Sequence, residues 1–131
     1  IYLSLTFLIF VFSCKEKSVS QVETSYIPTF EAKPGMEVIQ FHMIHRCKTC
    51  VAIEDVTKKT IQPYDNLVFK LINIEEPEND SLARSFRVAG TALFLYDPAS
   101  GKKEDLTDFA FMTAFDEEKF IKGLQKEIEE F

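Results

Sequence analysis

Two cysteines three residues apart stand in the run His45-Arg46-Cys47-Lys48-Thr49-Cys50, where an apolar, β-branched stretch gives way to a helical pattern. A thiolate is the attacking species in thiol–disulfide exchange, and a second thiol one helical turn on can attack the mixed disulfide that results. At a helix N-terminus Cys47 would face unpaired backbone N–H groups and the positive end of the helix dipole, both of which favour thiolate over thiol. Arg46, Lys48 and His45 add positive charge within a few residues, and His45 could also assist proton transfer. Cys47 is therefore the expected nucleophile and Cys50 the resolving thiol, with the Cys47–Cys50 disulfide as the redox group and no bound cofactor. Basic neighbours that stabilise reduced Cys47 push the couple toward oxidising behaviour.

Other readings of the same residues stand beside this one. A static bridge closing so small a loop removes little chain entropy, which weighs against a purely structural disulfide. His42, His45, Cys47 and Cys50 together supply two imidazoles and two thiols, a soft set suited to Cu(I) or Zn. His42 could equally pack at the end of its strand. An electron-relay subunit docked on a larger reductase is a third possibility, and the acidic run Glu75-Glu76-Pro77-Glu78-Asn79-Asp80 is either its docking face or a solvated loop.

The elements that must position the pair follow from periodicity and breakers. A strand is expected over 37–43 and a helix over 47–62, stopped by Pro63. A second strand over 66–74 leads to a helix over 79–88, with Asn79 or Asp80 as N-cap and Leu82, Ala83 and Phe86 facing inward. A third strand over 91–96 ends at the turn Asp97-Pro98-Ala99-Ser100-Gly101. A fourth, edge strand lies within 103–111. The closing helix over 116–131 carries Phe120, Leu124 and Ile128 at i, i+4, i+8, with Asp116, Glu117 and Glu118 in the first turn, where the dipole favours them. The order β-α-β-α-β-β-α implies an α/β domain with a central mixed sheet: a parallel pair across the first crossover and a hairpin from the last two strands.

Composition bounds the alternatives. The 131 residues, 46% hydrophobic with 4 Gly and 5 Pro, allow one ordinary globular domain, expected as a monomer, and exclude collagen-like or wholly disordered chains. A net charge of −6 without a basic block argues against nucleic acid as a partner. Three cysteines are too few for a disulfide scaffold. Residues 1–13 hold no charge and ten apolar side chains, too short a run to span a bilayer but fitting the apolar region of a secretory signal. Val11-Phe12-Ser13-Cys14 resembles the bacterial lipobox. Cys14 would then become the lipidated N-terminus, the sequence is expected to start inside the signal, and 14–35 would serve as a tether to a domain over 36–131. That places the protein on the bacterial cell envelope, held to a membrane by its lipid and facing the periplasm or the cell surface.

A strand, CxxC at a helix start and the later segments together resemble the thioredoxin-like superfamily over 36–131. VIQFHMIHRCKTC stands where its members have strand plus WCxxC, and FKLINIEEPENDSLARSFRVAGTALFLYDPASG where they have the next strand, helix and strand. The resemblance implies exchange with a protein disulfide or dithiol, or with an upstream redox partner. More narrowly, FHxxxRCxTC followed by a Lys- and Thr-containing helix is similar to small bacterial thioredoxin-fold subunits of nitrophenyl-compound reductases linked to arsenic resistance. Departures are informative. Arg46 replaces the Trp before the first cysteine, and Gln40 or Phe41 stands where a buried Asp would assist proton transfer. The resemblance makes Gly90, Thr91 and Ala92 the substrate-facing loop, with Ala92 in place of a cis-proline. A cis bond to a non-proline costs about 3–4 kcal/mol, so a trans Thr91–Ala92 bond or a rearranged loop is expected.

Overall fold

The computed structural model describes residues 30–131. The expected signal over 1–13, the lipidated Cys14 and the tether up to residue 29 lie outside the described residues. The elements run β1 (Glu37–His42), α1 (Lys48–Ile61), β2 (Val68–Asn73), a 3-10 turn (Pro77–Asn79), α2 (Asp80–Phe86), β3 (Ala92–Asp97), β4 (Lys102–Asp105), α3 (Thr107–Thr113) and α4 (Glu117–Glu130). The sheet order is β2-β1-β3-β4. β1 pairs parallel with β2, in register from Glu37↔Val68 to His42↔Asn73, while β1/β3 and β3/β4 pair antiparallel. This is an α/β domain with a mixed central sheet and the strand arrangement of a thioredoxin-like fold.

β1 lies between two neighbours and is covered on both faces, so its side chains sort by alternation. Val38 joins Leu93 and Leu95 against Ile53, Val56, Phe120, Leu124 and Ile128 of the helices α1 and α4. Ile39 and Phe41 join Ala92, Phe94 and, from α2, Phe86 on the opposite face. There the Phe41, Phe86 and Phe94 rings lie 5.1–5.9 Å apart, within the range in which aromatic pairs attract beyond their burial. The inward stripe expected for the last helix is realised, with Phe120, Leu124 and Ile128 all buried.

The structure departs from expectation in three places. Most of 103–111 is helix: β4 ends at Asp105, and Thr107–Thr113 forms α3. Leu106, Ala110 and Thr113 are buried at helical spacing, so period 3.6 prevails over a longer hairpin. α2 stops at Phe86 because Arg87 turns left-handed, at φ 57°, and the Val88 amide returns to the Ala83 carbonyl at 3.1 Å, a Schellman-type stop made without glycine. The last six residues of the expected tether, all exposed but Ala32, are tied to the domain by hydrogen bonds. The Phe30 amide donates to the Pro63 carbonyl, the Ala32 amide to Asn66, and Lys33 to the buried Asp97 at 2.6 Å. Among the described residues no helix is long and apolar enough to cross a membrane.

Candidate active site

Cys47 is the N-cap of α1, in extended backbone, and its sulfur accepts the Cys50 amide at 3.1 Å. One orphan N–H of the first turn is thereby aimed at sulfur, as an N-cap requires. That turn carries no acidic side chain, so nothing opposes the positive end of the dipole. Cys47 and Cys50 are joined as a disulfide with Cα atoms 5.1 Å apart. The two cysteines differ in access: Cys47 is exposed, whereas Cys50 is 5% exposed. An outside molecule can reach only the first. The hydroxyl of half-buried Thr91 lies 3.4 Å from Cys50 Sγ, so the loop before β3 faces the pair. No cis peptide bond occurs among the described residues, the Thr91–Ala92 bond included. Gly90 is half-buried in this loop, and Ala92 is buried at the start of β3, paired with Phe41. A cleft of about 390 Å³ opens beside Thr91, walled by Arg87, Gly90, Asp105, Thr107 and Asp108.

The basic residues expected around the thiols are placed differently from one another. Lys48 and His45 are exposed. Arg46 is half-buried, its Nη1 paired with the Glu54 carboxylate and its Nη2 3.4 Å from the Cys50 carbonyl. Much of its charge is thus committed to Glu54 rather than offered to Cys47. Glu54, which sequence reasoning missed, also takes Lys58 Nζ on its other oxygen. Burial pushes its carboxyl up, but hydrogen bonds from Lys58 and Arg46 and their charges outweigh this, leaving it below its ordinary value. A signal existed: Glu54 shares the inward stripe of α1 with Cys50, Ile53 and Thr57. Gln40 is fully buried in β1, and its amide donates to the Cys50 carbonyl at 2.9 Å.

The acidic run is part of the scaffold. Glu75 accepts the Ile44 amide at 2.5 Å, and the Ile74 amide donates to the His42 carbonyl at 2.9 Å, so β2 and its following turn hold the loop that delivers Cys47. Exposed Met43, Ile44 and Val51 flank the cysteines. The His42 ring is hydrogen-bonded at Nδ1 to the Met43 carbonyl, at 3.0 Å, and the two sulfurs are bonded to each other. Among the described residues no three His, Cys, Asp or Glu side chains gather as a metal set in this disulfide form.

No protein-family model matches the chain, and a search of curated proteins finds no match. Solved structures similar to it include a malarial protein, at 19% identity and a TM-score of 0.42 over 60% of this chain and 93% of the other. A thioredoxin from Thermus thermophilus is similar at 23% identity and a TM-score of 0.40, over 54% of this chain and 58% of its own length.

Proposed function

We propose that this domain is a thiol–disulfide oxidoreductase in which Cys47 attacks and Cys50 resolves. The observation that carries the reading is the asymmetry of the pair: one sulfur exposed at a helix N-terminus, its partner buried one turn on. With the dithiol form acting on a substrate disulfide, Cys47 thiolate attacks one substrate sulfur and expels the other as a thiolate. Cys50, having lost its proton, then attacks Cys47 Sγ and releases the second substrate sulfur. Two electrons pass to the substrate, two protons complete its thiols, and the Cys47–Cys50 disulfide is re-formed; the reverse sequence oxidises a dithiol. An external dithiol or disulfide carrier returns the pair to its starting state, and no bound cofactor takes part.

Apolar Met43, Ile44 and Val51 beside Cys47 favour a protein partner over a small polar thiol. Lipid attachment at Cys14, and with it a place on the cell envelope, rests on the sequence Val11-Phe12-Ser13-Cys14. His45 and Lys48 remain exposed in the run around Cys47, Lys48 as a cation. The test is Cys50→Ser, which leaves Cys47 able to form a mixed disulfide but not to resolve it. Dithiothreitol-sensitive adducts on Cys47 are expected. Several client proteins would mean general exchange, and one dominant partner would mean electron relay within a complex. The absence of any adduct, together with failure of the parent protein to reduce a model disulfide, refutes the reading.

A further inference from the structure

In the disulfide state Cys50 Sγ carries no hydrogen, and the Thr91 hydroxyl is 3.4 Å from it. Adding two electrons and two protons breaks the S–S bond and gives two thiols, so Cys50 acquires an S–H inside the protein, at a residue only 5% exposed. A buried donor needs an acceptor. Gln40 is the buried amide in contact with the same residue: it is fully buried, and its Nε2 is committed to the Cys50 backbone carbonyl at 2.9 Å. That bond fixes which way the amide faces. The other end of the same amide, Oε1, is buried and has no hydrogen-bond partner among the described residues. An unsatisfied acceptor in a core is costly, and a role in another redox state is one reason for a protein to keep it.

We infer that Gln40 Oε1 is the hydrogen-bond acceptor for the Cys50 thiol in the dithiol form, so that Gln40 is paired in one redox state and orphaned in the other. This deepens the oxidoreductase reading and rests on it. The bond stabilises the dithiol against the disulfide and the Cys50 thiol against its thiolate. A neutral amide cannot take the proton itself, so Cys50 gives it up to solvent or to the departing substrate sulfur, and mixed disulfides on Cys47 are long-lived.

Gln40→Met keeps the bulk and removes both the Oε1 acceptor and the Nε2 donor to the Cys50 carbonyl. Its dithiol/disulfide equilibrium against a glutathione buffer should move toward the disulfide by about tenfold, or ~30 mV for a two-electron couple. Thr91→Val removes a donor to the disulfide sulfur and should move the same equilibrium the other way. A Gln40→Met equilibrium within twofold of the parent overturns the inference, as does a shift toward disulfide in Thr91→Val, which would make Thr91 the acceptor. A second readout does not depend on altering the core: in Cys47→Ser, the S–H stretch of Cys50 should be that of a hydrogen-bonded thiol, and a free-thiol band overturns the proposal. The glutathione equilibrium can be measured whether or not Cys50→Ser traps a partner, so loss of the functional reading and loss of this inference give different results.

Discussion

Glu54→Gln preserves the shape of the side chain and removes its charge, which makes it a test of what anchors the loop before Cys47. The Glu54 side chain is 11% exposed and holds Arg46, 23% exposed, and Lys58, 52% exposed. The Lys58 pair is an i, i+4 contact with a half-solvated cation, a type that contributes about 0.3–0.5 kcal/mol. Removing one partner of a fully buried pair costs about 3–5 kcal/mol; discounting for the remaining exposure of Arg46 leaves about 2 kcal/mol for that side. The Arg46 contribution therefore dominates. In a domain of this size 1 kcal/mol moves Tm by about 4–8 °C, so Glu54→Gln should lower the Tm of the disulfide form by roughly 10–20 °C, and Lys58→Ala by no more than about 4 °C. Thermal and urea unfolding at pH 7 measure both. The sign with pH is fixed by the depressed carboxyl. It contributes stability that is present above its ordinary value of 4.5 and lost as pH falls through its own lower one. The gap between parent and Glu54→Gln should therefore be full at neutral pH and close below about pH 4.5. A gap under about 0.5 kcal/mol at pH 7, or one that persists unchanged under acid, refutes the reasoning.

Other outcomes follow from the packing. Gly123→Ala, which in an open helix gains up to about 1 kcal/mol, should instead cost about 1–3 kcal/mol, because a Cβ there would collide with the Phe109 ring; urea unfolding decides, and the additional change Phe109→Ala should relieve the clash. Asp97→Asn should loosen the segment before β1, read as faster exchange of the Ala32 amide and faster proteolysis near residue 33. The hydrogen bond from Lys33, followed by that from Ser100, holds the Asp97 carboxyl well below the usual carboxylate range against the opposing effect of burial. The stability it contributes is present above about pH 4 and lost as pH falls through its own lower value, so parent and Asp97→Asn should converge in acid.

Much of the site was readable because it depends on local order. The cysteine spacing, the apolar run before it and Pro63 after it are enough to put Cys47 at a helix start, and the structure begins α1 one residue later, at Lys48. The crossover from β1 to β2 and the inward stripe of α4 are local patterns too. What escaped depended on partners distant in sequence. Over 102–113 the chain could continue a hairpin or turn into a helix, and the choice rests on Leu106, Ala110 and Thr113 finding places in a core built by other elements. Residues 30–35 read as polar linker because their anchors, Pro63, Asn66 and Asp97, lie more than thirty positions away.

By itself the sequence determined that two cysteines occupy the N-cap and first turn of one helix, since helix starts, dipoles and i, i+3 spacing are properties of neighbours along the chain. Tertiary structure decided which charges and hydrogen bonds those thiols meet. It turned Arg46 onto Glu54, brought Thr91 to within 3.4 Å of the Cys50 sulfur from forty-one positions away, and set the Gln40 amide under the Cys50 carbonyl. Those contacts arise where a sheet face, a helix and a loop close on one another, and burial gives each a strength that solvent would otherwise screen.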